Sequence, residues 1–339
     1  MLPTGKRRTV YAKTRREVVQ KLAELQVDPT YALSSGRTTL GQYMARWFEN
    51  ASPSLRLTTR GTYRSLIKCH ILPYVGDELL TRVSPFTLEQ LYADLEAKGV
   101  SPRLRQHVHA LLHSALGKAV RLKLIRDNPA LVVDRPRARR REIRALTADE
   151  VGVLLRAAAE DRLEALYVIA VTTGLRQGEI FALKWKDIDL KHRTLSVRRA
   201  LLNVGGHLEI ADPKTVKGKR RVDLPDLAVK ALEAHRRQLK ATPHPESWVF
   251  TAVQGGTLRR SNFLRRNWAP LLARAGLKGV RFHDLRHTCA SLLLAAGTHP
   301  KVVQERLGHA TIAITLDTYS HVVGSLQRDA ADRIDEILK

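Results

Sequence analysis

The apolar residues of the chain recur mainly at intervals of three and four, the spacing that places them on one face of an α-helix. Four such patterns follow one another in the first half of the chain, at 40–49, 58–70, 87–98 and 102–122. Thr87 and Gln90 have the spacing of a capping box for the third helix. Gly99 is suited to end that helix, and Pro102 fits the first turn of the fourth. We therefore predict a helical domain over residues 40–130.

A second patterned region, residues 146–323, combines helices with short strands. Thr147 and Glu150 have capping-box spacing at its start. Further helical patterns lie at 162–172, 226–240, 261–275, 283–296, 300–307 and 311–323. Alternating segments typical of strands lie at 194–198, 207–210 and 219–224. The predicted fold class is mainly α with one small antiparallel β-sheet in this second domain (α+β).

Three shorter segments flank or connect these regions. Residues 1–31 contain one strand pattern and one helix pattern, which are too little to close a hydrophobic core. Residues 131–145 are basic and contain proline, which indicates a semi-rigid linker between two domains. A nuclear localisation signal is the competing interpretation of this basic run. Residues 324–339 have the apolar spacing of an amphipathic helix.

Composition adds a polyanionic partner to this picture. Of the 339 residues, 58 are Lys or Arg and 33 are Asp or Glu, so the formal net charge is +25. The basic residues are spread along the whole chain, which favours nucleic acid over a membrane surface. The sequence has no apolar run of about 18 residues, and its first residues lack the apolar centre of a signal peptide. We therefore predict a cytoplasmic protein that binds no membrane.

The predicted helices carry arginine and lysine residues on faces that we expect to point outward. Any one of these residues is most simply explained as part of a solvated surface. Their summed excess favours contacts with the phosphates of a DNA duplex. The candidate DNA-binding residues are Arg56, Arg60, Arg64, Lys68, Arg103 and Arg105 in the helical domain and Arg139, Arg140 and Arg141 in the linker.

The segment from His283 to Tyr319 has the residues that opening a phosphodiester requires. Without a metal, this reaction needs a nucleophile, cations that stabilise the non-bridging oxygens, and an acid for the leaving oxygen. His283 and Arg286 are three residues apart and share a helix face, so that both can approach one phosphate. Tyr319 is a candidate nucleophile, because nearby cations or a base can favour its phenolate over a phenol of pKa about 10.

Two further groups complete the candidate site. Arg176 follows Gly174 at the start of a predicted helix, where free backbone N–H groups also favour an anion. Glu179 lies on the same face, three residues later, and can hold a neighbouring side chain by a charged hydrogen bond. His309 follows Gly308 at the end of another helix, from which its ring can reach the same phosphate.

A zinc site is the competing interpretation of two of these residues. His283 and His287 have the spacing of the two histidines of an H-E-x-x-H helix. Asp284 stands in place of the glutamate, and Arg286 would put a cation beside the metal. We therefore predict no metal ligand among these residues and no cofactor for the reaction.

Taken in order, these motifs resemble those of the tyrosine recombinase family, which includes phage and integrative-element integrases and their Xer-like relatives. The motifs are TGLRQGE at 173–179, DPKT at 212–215, HDLRHT, LGH and TLDTYSHV, in the family's order over residues 145–323. Residues 40–130 resemble the family's helical core-binding domain, in HILPYVGDELL and in SPRLRQHVHALLHSALGKAV. Residues 1–31 resemble the end of the small arm-binding domain of many phage integrases. The resemblance thus implies a core-binding domain followed by a tyrosine-recombinase catalytic domain at 146–323.

The resemblance also implies how the scissile phosphate is bound and attacked. Arg176 and Arg286 would clamp it, and His309 would add a hydrogen bond, with Glu179 supporting the site. His283 would assist proton movement at the nucleophile.

The last two roles fall to a lysine and to the tyrosine. Lys214, on a β-hairpin, would protonate the departing 5′-oxygen, although Lys217 and Lys219 lie on the same turn. Tyr319 would form a 3′-phosphotyrosyl link that conserves the energy of the broken bond.

The implied function is that of a site-specific recombinase, which integrates or excises a mobile element. Its partners would be double-stranded DNA attachment sites, three further copies of the chain in a homo-tetrameric synapse, and accessory proteins that bend DNA or set direction. The segment 324–339 would dock on a neighbouring protomer. Two other functions stay open, namely a type IB topoisomerase and a catalytically silent DNA-binding relative of the integrases.

Overall fold

The computed structural model describes residues 14, 38–138, 144–204, 206–212, 218–239, 241–313, 315–316 and 334–338. Contacts within the chain divide it into two units, Met1–Arg140 and Arg141–Lys339. The boundary between them lies within the basic segment that the sequence predicts to be a linker. Apart from residue 14, the predicted arm-binding-like segment 1–31 lies outside the described residues, as does most of the predicted C-terminal helix 324–339.

The described part of the first unit is helical, as predicted. Its α-helices, numbered here in chain order, are α1 (Leu40–Ala51), α2 (Leu57–Leu66), α3 (Leu72–Val75), α4 (Pro85–Ala97) and α5 (Pro102–Arg121). The predicted capping box at Thr87 is wrong, because α4 begins two residues earlier. The hydroxyl oxygen of Ser84 accepts a hydrogen bond from the Thr87 backbone N–H at 3.2 Å, and Pro85 occupies the first turn, where no N–H is needed.

The predicted helix 58–70 is not a regular α-helix over its whole length. A π-helical turn, Ile67–Ile71, joins α2 to α3. Pro73 explains the irregularity, because its nitrogen cannot donate to the carbonyl of Cys69 four residues earlier. The core of the unit packs around Leu40, Met44 and Leu112, which are fully buried.

The second unit combines helices with two small antiparallel sheets. Its helices are α6 (Ala148–Ala157), α7 (Glu164–Thr173), α8 (Gln177–Phe181), α9 (Asp226–Arg237), α10 (Arg260–Phe263), α11 (Ala269–Arg274), α12 (Asp284–Ala295) and α13 (Pro300–Leu307). Its strands are β1 (Ile188–Asp189), β2 (Thr194–Val197), β3 (Ala200–Val204), β4 (His207–Ala211) and β5 (Arg220–Asp223). No helix within the described ranges combines the length and the apolar character needed to cross a membrane.

The strands form one sheet more than the sequence predicts. Strand β2 pairs with both β1 and β5, whereas β3 and β4 form a separate two-stranded sheet among the described residues. Strand β4 agrees with the predicted strand 207–210, whereas β3 was not predicted, because it follows β2 after only two residues and the pattern there resembles the end of a single strand. The fold class, mainly helical with small antiparallel sheets, is confirmed.

A turn after α7 places the first catalytic candidate. Helix α7 is almost wholly buried, and it ends at Gly174, whose φ of 63° is left-handed. A Cβ added to Gly174 would lie 2.5 Å from a methyl carbon of Leu307 and 3.3 Å from the sulfur of Cys289. Glycine is therefore required here both for backbone conformation and for the close approach of α12 and α13.

Candidate active site

Arg176 stands at the N-terminus of α8, directly after the Gly174 turn. Its backbone N–H donates to Oε2 of Glu179 at 3.0 Å, and its Nη1 donates to Oε1 of the same carboxylate at 2.8 Å. Its Nη2 is 3.3 Å from the carbonyl oxygen of Gly308. The side chain is still 28% exposed. The guanidinium is thus fixed on one side and open to a ligand on the other.

Arg286 reaches the same place from α12. Its Nη1 donates to the carbonyl oxygen of Gly174 at 2.8 Å, and its Nη2 donates to that of Leu307 at 2.7 Å. The residue is only 3% exposed. The structure therefore brings Arg176 and Arg286 together at the turn Leu307–Gly308, although they are far apart in sequence.

His309 follows this turn, which Gly308 makes possible with a φ of 67°. The ring Nδ1 lies 2.8 Å from the hydroxyl oxygen of Thr315, and the backbone carbonyl accepts a hydrogen bond from Gln304 at 2.6 Å. Burial, followed by the charges of Arg286 and Arg176, lowers the pKa of His309 to about 3. The imidazole is therefore neutral at pH 7, and because Thr315 occupies Nδ1, its Nε2 is the nitrogen left to meet a phosphate.

His283 lies at the N-cap of α12, one turn before Arg286. The residue is exposed, and the centroid of the His287 ring lies 5.2 Å from that of its own ring. The protein packed around the ring, together with His287 and Arg286, lowers the pKa of His283 to about 4. A neutral imidazole at this position can accept a proton from a phenol. In the described ranges, no group of three or more His, Cys, Asp or Glu side chains is placed to hold a metal ion.

Glu179 is buried and binds a second arginine, Arg220, which the sequence did not predict as a partner. The side chains of Glu179 and Arg220 are 1% and 7% exposed, and Nη2 of Arg220 donates to Oε2 of Glu179 at 3.0 Å. Burial alone would raise the pKa of Glu179, but Arg220 and Arg176 hold it below its usual value. The carboxylate is therefore ionised and bridges two cations.

Arg220, Thr315 and Gln304 were not among the predicted site residues. Arg220 lies two residues before the buried Val222 on β5, so both point inward. An arginine on the inward face of a strand was the available signal. For Thr315, the signal was its position four residues before Tyr319, on the same face of a predicted helix. No such signal was available for Gln304, because a polar residue in a helix is normally expected to be exposed.

The remaining predicted catalytic residues, Lys214 and Tyr319, lie outside the described residues, as do Arg139, Arg140 and Arg141 of the linker. In the first unit, the predicted DNA-binding side chains of Arg56, Arg64, Lys68 and Arg103 are exposed. Arg60 is half-buried and donates to the carbonyl oxygen of Ser52 at 3.0 Å.

Arg105 is placed differently from the prediction. Its residue is buried on the face of α5 that also holds Val108 and Leu112. Its Nη2 lies 2.5 Å from Oε1 of Glu96. The prediction of an outward-facing Arg105 is therefore wrong, because positions 105, 108 and 112 share one helix face.

The chain is similar to integrases in sequence and in structure. It matches the model of the phage integrase family over residues 144–324 and that of the phage integrase N-terminal SAM-like domain over residues 39–95. The integrase of Mycobacterium phage L5 is 32% identical over 279 residues, covering 80% of this chain and 72% of the relative. An integrase of Saccharopolyspora erythraea is 28% identical over 394 residues, covering 97% and 90%.

Solved structures of integrases share the fold. The Tn1549 transposon integrase in complex with a circular intermediate DNA superposes with a TM-score of 0.74 at 22% identity, over 88% of this chain and 99% of that one. A lambda integrase tetramer bound to a Holliday junction gives a TM-score of 0.65 at 20% identity, over 91% of each chain.

Proposed function

The chain belongs to the phage integrase family and is a site-specific tyrosine recombinase, and we propose that Arg176, Arg286 and His309 bind the scissile phosphate that Tyr319 attacks. The observation that carries this proposal is the convergence of both guanidinium groups on the turn Leu307–Gly308, immediately before His309. The two guanidinium groups and the neutral ring of His309 can together stabilise the negative charge that develops on a phosphate under attack.

The proposed reaction breaks one bond for each that it forms. The phenolic oxygen of Tyr319 bonds to phosphorus, and the bond from phosphorus to the 5′-oxygen breaks. The phenolic proton moves to the neutral ring of His283, and Lys214 gives a proton to the departing 5′-oxygen. Arg176 and Arg286 stabilise the charge on the non-bridging oxygens. The roles of Lys214 and Tyr319 are supported by their motifs, DPKT and TLDTYSHV.

The 3′-phosphotyrosyl link then allows rejoining. The 5′-hydroxyl of a second strand attacks phosphorus and releases the tyrosine, so the number of phosphodiester bonds is unchanged. No external energy source is needed for the exchange. A reaction that conserves the number of phosphodiester bonds is what integration or excision of a mobile element between two attachment sites requires.

We extend the proposal to the partners of the chain. Its substrate is double-stranded DNA, and the exposed cations Arg56, Arg64, Lys68 and Arg103 support contacts with the duplex. Recombination between two sites requires four active sites, which favours a homo-tetramer in the synapse, with residues 324–339 docking on a neighbour. We also propose that accessory proteins bend the DNA or set the direction of recombination. The protein would act on DNA in the cytoplasm.

The test is covalent capture on a nicked duplex that carries a candidate attachment site, found by sequencing the DNA that flanks the reading frame and searching it for a direct repeat. We expect the wild type to form a protein–DNA adduct and Tyr319→Phe to form none, because the variant lacks the attacking oxygen. Tyr74→Phe, a half-buried tyrosine of the first unit, is the matched control and should form the adduct normally. Absence of an adduct with the wild type would contradict the proposed chemistry, and an adduct on any supercoiled DNA would indicate a topoisomerase.

A further inference from the structure

Arg220 makes hydrogen bonds to two distant segments of the second unit and to the residues just before its own strand. Its Nη2 donates to Glu179 of α8, its Nε donates to the carbonyl oxygen of Arg306 near the end of α13 at 2.7 Å, and its Nη1 donates to that of Gly218 at 3.0 Å. The side chain is 7% exposed. Each of its three guanidinium nitrogens already has a protein acceptor. Two of these acceptors, Glu179 and the Arg306 carbonyl, lie next to the residues that we propose bind the phosphate.

The first of these contacts determines the charge around Glu179. The two oxygens of this carboxylate are divided, with Oε1 bound by Nη1 of Arg176 and Oε2 bound by Nη2 of Arg220. Without Arg220, the buried Oε2 of Glu179 would lose its charged partner, and a buried charge without a partner is energetically unfavourable. Arg176 is the nearest available cation, and a turn inward to satisfy both oxygens would take its guanidinium away from the phosphate.

The second contact holds the turn on which the phosphate-binding groups converge. Arg306 directly precedes Leu307 and Gly308, whose carbonyl oxygens accept from Arg286 and Arg176. His309 follows. A hydrogen bond to the Arg306 carbonyl therefore fixes the start of the same short segment from strand β5.

We propose that Arg220 is a positioning residue for phosphate activation, which keeps Arg176 turned toward the scissile phosphate by sharing Glu179 with it and by anchoring the turn after α13. The proposal rests on the proposed recombinase function. A positioning role can be distinguished from a purely structural one. Loss of an ion pair that serves only the fold would slow the cleavage of every substrate by the same factor.

The experiment compares two suicide duplexes in single-turnover cleavage, one with a normal scissile phosphate and one with a methylphosphonate at that position. A methylphosphonate lacks one negative charge, so its cleavage depends less on the arginine pair. We expect Arg220→Met to slow cleavage of the normal duplex about 10- to 100-fold, the size of effect that a misplaced group produces. On the methylphosphonate, the difference from wild type should shrink to about threefold or less.

Matched variants guard against a simple folding defect. Arg221→Met changes the next residue of the same strand, which is exposed, and should cleave both duplexes at the wild-type rate. Arg220→Lys keeps the charge but cannot make all three hydrogen bonds, so its cleavage rate on the normal duplex should lie between those of the wild type and Arg220→Met. If Arg220→Met does not fold, as judged by thermal unfolding, Arg220→Lys carries the same comparison between duplexes.

The outcomes separate this inference from the proposed function. An equal loss on both duplexes, or no loss at all, overturns the positioning role of Arg220. Rescue only by a 5′-bridging phosphorothiolate, whose leaving group needs no acid, also overturns it by assigning Arg220 to the leaving-group side. Failure of the wild type to form an adduct with either duplex would instead refute the proposed function.

Discussion

In the first unit, Arg56, Arg64 and Lys68 are exposed, whereas in the second unit the side chains of Arg220 and Arg286 are buried and bound to backbone carbonyls. Exposed cations are screened by salt, and each contributes little alone. Buried cations need defined partners, and those partners fix their direction. Under the proposed function, the first unit supplies exposed charge for a duplex, whereas the second supplies guanidinium groups held in a fixed geometry for one phosphate.

The same difference appears in the anions. Glu96, the partner of Arg105, is 66% exposed in the first unit, whereas Glu179, the partner of Arg176 and Arg220, is 1% exposed. Water competes with the first pair and hardly with the second. A preorganised site needs the second arrangement, because its dipoles and charges must not reorganise when the phosphate is attacked.

The largest effect is expected from a substitution that keeps the positive charge of Arg286 but removes its planar guanidinium. We expect Arg286→Lys to slow adduct formation about 100- to 1000-fold, because an ammonium cannot donate to the carbonyls of Gly174 and Leu307 and also bind a phosphate in two places. The measurement is the single-turnover rate of covalent capture.

Arg193→Lys is the matched control, since Arg193 lies in the same unit and is 61% exposed. Its rate should stay within about twofold of wild type. If Arg286→Lys kept more than about a tenth of the wild-type rate, charge alone would suffice and the contrast between the units would fail.

A second test asks whether the imidazoles of the site are held neutral. The pKa values of His283 and His309 are lowered to about 4 and about 3, so both rings should remain neutral as the pH falls from 7.5 to 5.5. Protonation should begin only as the pH approaches those values. The measurement is the imidazole NMR signal in the DNA-free protein, assigned with His283→Gln and His309→Gln. Titration of either ring near its ordinary pKa of about 6.5 would contradict a preorganised neutral site.

The sequence was sufficient for the parts of the molecule that local patterns determine. Helix α5 was predicted as 102–122 and runs over Pro102–Arg121, because Pro102 starts it and its apolar spacing is regular. Arg176, His283, Arg286 and His309 were predicted as site residues from motifs whose helical positions could be inferred, and their catalytic roles stay predictions.

Long-range partners could not be inferred in the same way. The bond from Arg220 to Glu179 joins residues 41 positions apart, and nothing in either motif specifies the pairing. Arg105 is a different case, because the spacing to Val108 and Leu112 already placed it on the buried face. The general expectation that arginine is exposed was preferred there over the local pattern.

The smallest effects are expected in the first unit, where Arg103 and Arg105 are two residues apart on α5. Arg103 is exposed, while Arg105 is buried and paired with Glu96. If Arg103 contacts a phosphate, Arg103→Gln should weaken duplex binding a few-fold and lower the slope of log affinity against log salt by about one. Arg105→Gln should leave that slope unchanged and lower the thermal unfolding midpoint instead, because it removes a partly buried pair. Equal salt slopes in both variants would mean that burial does not decide which cations of this unit bind DNA.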